Sequence, residues 1–281
     1  MADDLFLIAY MLGDDMRLGL EDNGEIHVVD QYIVPALHWL LRALPAAEVI
    51  GRLRDAKDER IDQEKYVAHP PIDVQEVWAA GRTYRSADGN AAIRPHLFFK
   101  ANGPDVIGDR HPVGIRYDSK NSVAEPELVV VLNSYMEVVG FTIGNDMTAR
   151  DIAQDPLALP QAKIYARSCA IGPRIWLQPG VTDWPDLTIR VTINRRGTIV
   201  FSGSAKTSAI QRPLPELIDY LGRCKPFHNG VMLFSGVGPG VLPPEDFTLQ
   251  ADDEVICRME PIGELLNSVT VVGEQTAIPR E

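Results

Sequence analysis

Residues 122–133 read SVAEPELVVVLN, and the unbroken apolar run Leu128–Leu132 is entered through two glutamates, Glu125 and Glu127. Residues two apart in a strand share a face, so the segment reads as a buried strand whose mouth carries two carboxylates aimed the same way. Like charges on one such face repel, and each loses hydration. A chain that folds around this strand has to bring something positive to the pair.

The surrounding text is that of an α+β protein. Within residues 1–70, LFLIAYML and EIHVVD read as strands, YIVPALHWLLRAL as a helix with proline near its start, and AEVIGRLRDAKDERI as a second, more polar helix. AHPPID, at 68–73, reads as a linker, because consecutive prolines favour extended chain. The expected division is therefore a small N-terminal α/β domain (1–70) and a larger domain (71–281). From Val74 onward strands dominate: EVWAAG, HLFFKA, PELVVVLN, VVGFTIG, AIGPRIWL, LTIRVTIN, GTIVFSGSA, VMLFSG, DEVICRME and NSVTVV. NRRG, at 194–197, fits a hairpin turn. PLPELIDYLGR carries Leu214, Leu217, Ile218 and Leu221 at helical spacing, and MTARDIAQD offers one or two helical turns. No regular βαβ rhythm appears, which argues against a doubly wound sheet.

Charge and cysteine usage narrow the function classes. The net charge of −12 argues against a general nucleic-acid surface, though not against an anionic small molecule. The cysteines at 169, 224 and 257 form no CxxC pair and suggest neither a zinc site nor a disulfide framework, in keeping with a reducing cytoplasm. Each reads as a small buried apolar residue. No apolar run approaches the roughly 20 residues that span a bilayer. The start, MADDLFLIAYMLGDD, lacks the basic flank of a secretory signal. The expected setting is cytoplasmic, with neither membrane nor nucleic acid as partner.

Downstream of the glutamates, GFTIGNDMTARD (140–151) ends a strand in Asn145-Asp146. A third carboxylate at that strand end could reach the other two. Three carboxylate oxygens suit a hard cation, Mg²⁺ or Mn²⁺. The spacing alone equally fits solvated strand-end charges. The histidines at 27, 38, 69, 96, 111 and 228 show no zinc-ligand spacing, and His228 reads as part of a turn. SGVGPG (235–240) precedes no helical pattern and so is neither a dinucleotide fingerprint nor a phosphate loop. FSGSA lacks the flanking glycine of a nucleophile elbow.

AEPELVVVLN, VVGFTIGNDMTARDI, LPQAKIYARSCAIGP and LFSGVGPGVLPPEDFTLQADDEVICRMEPIGELLNSV, in that order over residues 74–273, resemble the fumarylacetoacetate hydrolase family. The E-x-E…ND-x-[ST]-x-RD…K string carries the resemblance. It implies a mixed β-sheet roll with a small N-terminal domain, usually a homodimer, in which Glu125, Glu127 and Asp146 hold Mg²⁺ or Mn²⁺. RPHLFFKA, EPELVVVLN and LPQAKIY are most like the 2-keto-3-deoxy sugar-acid dehydratases, such as the 2-dehydro-3-deoxy-D-arabinonate dehydratases. A 2-keto acid chelated at such an ion would lose a proton from C3. Elimination of a C4 hydroxyl would then make a lyase, and water attack on a C4 acyl group a carbon–carbon hydrolase; loss of carbon dioxide would make a decarboxylase. A catalytically altered biosynthetic enzyme that uses the site for a rearrangement or cyclisation, or a binding protein that kept the fold without turnover, is a further alternative.

By the same resemblance Lys163 sits near the metal, where it would pair with the substrate carboxylate or move a proton. Arg82, Arg85 and Ser86, in GRTYRSAD, occupy the place of a substrate loop. Lys100 is expected beside the site, as a substrate contact or in a structural ion pair. Arg150 is expected to bind an anionic group or to pair with Asp146 or Asp151. Ser235 keeps a hydroxyl for the substrate. Three departures stand out: His96 replaces a glutamate of the dehydratases that is thought to move protons, Val237 replaces a threonine, and the segment between Tyr84 and Pro95 is shorter. A histidine titrates near neutrality and could take over the proton.

Overall fold

The computed structural model describes residues 4–61, 67–84 and 94–273. An N-terminal meander of β1 (Leu5–Leu12), β2 (Asp15–Asp22) and β3 (Glu25–Val29) leads into helices α1 (Leu37–Ala43) and α2 (Ala46–Asp55). Next come β4 (Lys57–Arg60), β5 (Val67–His69), β6 (Glu76–Gly81), β7 (His96–Asn102), β8 (Val113–Arg116), β9 (Ser122–Val123), β10 (Pro126–Leu132), β11 (Val138–Asp146) and β12 (Thr148–Ala149). The short helix α3 (Leu159–Lys163) precedes β13 (Cys169–Leu177), β14 (Thr188–Arg195) and β15 (Thr198–Lys206). Helix α4 (Leu214–Gly222), β16 (Val231–Phe234), β17 (Glu254–Met259) and β18 (Gly263–Val272) complete the order.

Two sheets carry the architecture, as an α+β reading requires. The larger runs β4-β3-β2-β1-β13-β11-β10-β16-β6-β7, with β5 paired to β1. The smaller runs β15-β14-β17-β18-β8. Both are mixed, because β6 lies parallel to β16 and β8 parallel to β18. All seven residues of β10 are buried, and its alternation explains why. Leu128, Val130 and Leu132 pack with Ile189, Val191, Val255 and Leu265 of the smaller sheet. Val129 and Val131 pack with Leu37, Leu40, Val49 and Leu53 of the two N-terminal helices. A strand covered on both faces needs an unbroken apolar run, and each such side chain contributes about 1.5–3 kcal/mol on burial.

The N-terminal residues join the larger sheet directly. Phe6, Leu7 and Ile8 of β1 pair with Trp176, Ile175 and Arg174 of β13. Arg174 stacks 3.7 Å over the Phe6 ring and pairs with Glu21. One apolar cluster draws on residues from Leu5 to Phe234, so the sheet is continuous across the expected boundary near residue 70.

Several elements differ from the sequence reading, each for a physical reason. The first helix starts at Leu37, beyond Pro35, since the residue before a proline is driven out of helical backbone. The second stops at Asp55, and Lys57–Arg60 becomes β4 against β3, where Lys57 pairs with Asp22 at 3.0 Å and Arg60 with Glu25 at 2.7 Å. Strand β2 is half-buried and polar, and its pattern escaped a search for apolar runs. AHPPID is partly strand, because His69 pairs with Ala9. MTARDIAQD supplies one helical turn, the 3-10 turn at Ile152–Gln154, but begins with β12, paired with β9. The NRRG hairpin forms as expected, with Arg196 (φ 51°) and Gly197 (φ 77°) at the turn. Cys169 and Cys257 are buried, their thiols pushed up to about 12 by burial, whereas Cys224 is exposed. Among the described residues no helix is long and apolar enough to cross a membrane.

The register of β10 on β11 places the acids. Glu127 lies opposite Gly144, and the Asp146 amide donates to the Glu125 carbonyl at 2.9 Å. A Cβ on Gly144 would sit 2.2 Å from Phe234 Cε1 and 2.5 Å from Val129 Cγ2. Gly144→Ala is therefore expected to lose about 1–3 kcal/mol of stability by overpacking, measured as a lower midpoint in urea unfolding. An unchanged midpoint would mean that β16 yields without cost.

Candidate metal centre

One carboxylate oxygen from each of Glu125, Glu127 and Asp146 lies within 4.8 Å of the others. The pleat brings this about, since Glu125 and Glu127 share a face of the β10 segment and Asp146 faces the same way at the end of β11. Glu127 and Asp146 are buried and Glu125 is half-buried.

Two lysines bring positive charge to the cluster, one of them to a glutamate of the pair. Lys163, at the C-terminal end of α3, donates from Nζ to Glu125 Oε2 at 2.7 Å, Asp146 Oδ2 at 2.7 Å and Thr148 Oγ1 at 2.6 Å. Lys100, in β7, reaches Asp146 Oδ1 at 2.5 Å from the other side. Its Nζ also donates to the carbonyls of Lys163 at 2.5 Å and Met147 at 3.1 Å. Glu127 Oε2 accepts the Gly236 amide at 2.7 Å. Gly236 has φ +92°, and a Cβ there would lie 2.2 Å from Thr83 Oγ1, so only glycine serves.

Three carboxylates against two ammonium groups leave one negative charge in excess, and the protonation balance shows where it falls. Burial, followed by the charges of Asp146 and Glu125, raises the Glu127 carboxyl well above the usual carboxylate range. Burial works the same way on Asp146, but Lys100 and Lys163 outweigh it and hold its carboxyl below that range. Burial opposes the charge on Lys163, and Asp146, Glu125 and Glu127 overcome it, so its pKa rises. A divalent cation would offset the burial and like-charge repulsion that raise the Glu127 carboxyl. The donor set fits: oxygen atoms only, three carboxylates, and a residual negative charge that a divalent cation would convert to a net positive one able to receive an anion. Glu125, Glu127 and Asp146 could hold Mg²⁺ or Mn²⁺.

The remaining candidate residues fall into different places. His96 opens β7 opposite Gly81, exposed, with its ring 5.7 Å from Phe98. Lys163 Nζ lies 5.7 Å from the same Phe98 ring. Burial, then the charges of Arg82 and Lys163, lowers the His96 pKa. Arg82 is exposed beside His96 with φ 56°. Lys100 is sealed behind Asp146, its side chain 0% exposed, so the structural ion pair is the alternative it realises rather than a substrate contact. Arg150 shows no ion pair with Asp146 or Asp151 among the described residues. Its guanidinium donates to the carbonyls of Pro244 at 3.2 Å and Pro243 at 3.3 Å, while Asp151 accepts from Ser119 Oγ and the Lys120 amide. Ser235 is buried; its hydroxyl donates to the Gly236 carbonyl at 3.3 Å, and its own carbonyl accepts from Thr83. Arg85 and Ser86 lie outside the described residues.

Sequence reasoning passed over Thr148, although the [ST] of the ND-x-[ST] string marks its position. It also passed over the Gly236 amide, for which no side-chain signal exists. Tyr84 was missed too. Its hydroxyl is buried with no hydrogen-bond partner among the described residues, and burial, then the Glu127 charge, raises its pKa.

Comparison with known proteins agrees with this geometry. Residues 74–270 match the family model for the fumarylacetoacetate (FAA) hydrolase C-terminal region. A Haloferax volcanii protein described as "Probable 2-keto-3-deoxyxylonate dehydratase" is 36% identical over 245 residues, covering 81% of this chain and 82% of that one. The 2-dehydro-3-deoxy-D-arabinonate dehydratase of Saccharolobus solfataricus is 36% identical over 219 residues, covering 71% and 73%. A solved structure of 2-keto-3-deoxy-D-arabinonate dehydratase complexed with magnesium and 2,5-dioxopentanoate superposes with a TM-score of 0.81 at 30% identity, covering 96% of this chain and 99% of that one.

Proposed function

The chain belongs to the fumarylacetoacetate hydrolase family, and on that premise we propose that it is a divalent-metal-dependent lyase that removes water from a 2-keto acid of the 2-keto-3-deoxy sugar-acid class. The carrying observation is the three-carboxylate cluster with a buried ammonium group on its inner oxygens. The relatives' names support the substrate class.

Mg²⁺ or Mn²⁺ on Glu125, Glu127 and Asp146 would supply the positive charge that makes a C3–H beside a keto group acidic. The residues of the chain do the rest. Lys163 offers an ammonium to the substrate carboxylate or to the oxygen that gains charge. The Gly236 amide and Lys100 fix the orientations of Glu127 and Asp146. His96, at the open rim with a lowered pKa, is a neutral imidazole at neutral pH and can take a proton. The balance is simple: the C3–H and C4–O bonds break, a C3=C4 bond forms, and the C4 hydroxyl leaves with a proton as water. Arg82, Arg85, Ser86 and Ser235 are proposed to help shape the substrate side. We also propose a homodimer working in the cytoplasm.

Chelator-treated protein should not consume a 2-keto-3-deoxypentonate, and added Mg²⁺ or Mn²⁺ should restore formation of a product lighter by one water in mass spectrometry. The pH profile should locate the base. With His96 required neutral, kcat/KM falls as pH drops through a value below the ordinary histidine pKa of about 6.5, and His96→Gln loses that acidic limb. Undiminished turnover after chelation would end the metal reading. Consumption of an acylpyruvate with no action on the keto-deoxy acid would instead make the protein a carbon–carbon hydrolase.

A further inference from the structure

The carboxylate oxygens of the cluster are already heavily engaged. Lys163 Nζ holds Glu125 Oε2 and Asp146 Oδ2, Lys100 Nζ holds Asp146 Oδ1, and the Gly236 amide holds Glu127 Oε2. Both oxygens of Asp146 therefore carry an ammonium. A cation that takes one oxygen from each acid shares an Asp146 oxygen with one of these ammonium groups, and two positive charges on one oxygen repel. Lys100 cannot yield, since it is sealed at 0% exposure and tied to two backbone carbonyls. Lys163 can. Its side chain is 9% exposed, it is the residue that bridges two of the three acids, and its ammonium lies 5.7 Å from the centre of the partly buried Phe98 ring.

We propose that Lys163 is a displaceable internal counter-ion: its ammonium holds Glu125 and Asp146 together when the metal is absent, and metal binding moves it off these oxygens to where it can meet the substrate carboxylate. This rests on the metal reading of the centre. It gives the site an order, with the ion first and the acid second, because the lysine is released only when the ion takes over its oxygens. It also explains how three converging carboxylates stay assembled without an ion, which like-charge repulsion would otherwise oppose. No bond is made or broken in the exchange.

Titration calorimetry with Mn²⁺ alone tests this on the wild type, Lys163→Met and Thr148→Val. The methionine keeps the stem and removes the competing charge. Repulsion between an ammonium and a divalent ion a few ångströms apart in a protein interior exceeds a factor of ten in affinity, so Lys163→Met should bind Mn²⁺ on the order of tenfold tighter or more. Without metal its thermal midpoint should fall below that of the wild type, and Mn²⁺ should raise it by more. Thr148→Val keeps the charge but removes one of three oxygens holding Nζ. It should tighten Mn²⁺ by a smaller factor, and it decides the matter alone if Lys163→Met does not fold without metal. Affinities equal to or weaker than the wild type in the folded variants overturn the counter-ion role while leaving the metal site standing. If the wild type and both variants all fail to bind Mn²⁺, the metal reading fails and the counter-ion falls with it.

Discussion

Asp146→Ala is expected to do the greatest damage, because it strikes the metal centre and the core together. Turnover should fall on the order of 10³-fold, the loss of several kcal/mol of transition-state stabilisation, and Mn²⁺ should no longer bind measurably. Stability should fall as well. Asp146 is 1% exposed and lies between Lys100 and Lys163, so its removal leaves Lys100 buried with carbonyls alone and Lys163 with Glu125 as its one carboxylate. Breaking a buried pair from one side costs about 3–5 kcal/mol, read as a lower denaturation midpoint with an unchanged slope. Asp146→Asn keeps the volume and one acceptor and should lose less stability for the same loss of metal. A variant as stable as the wild type would show that the lysines do not depend on this carboxylate.

Lys100→Met separates two readings of one residue. From sequence, a lysine after two phenylalanines at the end of a strand is as good a substrate contact as a structural one. The structure seals it behind Asp146, with its Nζ in an ion pair with Asp146 and donating to two carbonyls. The methionine fills the volume, removes the charge facing Asp146 Oδ1 and takes a donor from the Met147 and Lys163 carbonyls, the second of which keeps the Ser168 hydroxyl. We expect a stability loss of about 3–5 kcal/mol and a fall in kcat as Asp146 and the α3 terminus carrying Lys163 lose their anchor. KM for the keto acid should change little. The reverse pattern, raised KM with unchanged stability, would return Lys100 to the substrate.

How legible the centre was from sequence varies residue by residue. Glu125, Glu127 and Asp146 were readable as a candidate cluster because two lie at strand spacing and the third ends the next strand. Lys163 was readable only through the longer E-x-E…ND-x-[ST]-x-RD…K string, since nothing local distinguishes it from a surface lysine. Arg150 went astray: two acids lie within four residues of it, yet its partners are carbonyls at 243 and 244. Local charge proximity could not anticipate a loop folding back from ninety residues away. The same applies to Lys57–Arg60, whose helical continuation from α2 lost to pairing with β3 and two ion pairs.

By itself, then, the sequence determined what a single strand determines. The pleat puts Glu125 and Glu127 on one face, the run Leu128–Leu132 demands cover on both sides, and Arg196-Gly197 turns a hairpin. Tertiary structure alone decided what surrounds the three acids. Lys100 lies 46 positions before Asp146, Lys163 lies 17 after it, and the Gly236 amide lies 109 beyond Glu127. The reason is range. Side-chain alternation is fixed by covalent geometry over a few residues, whereas the partner of a buried charge is fixed by strand order and register, which only the packed sheets define.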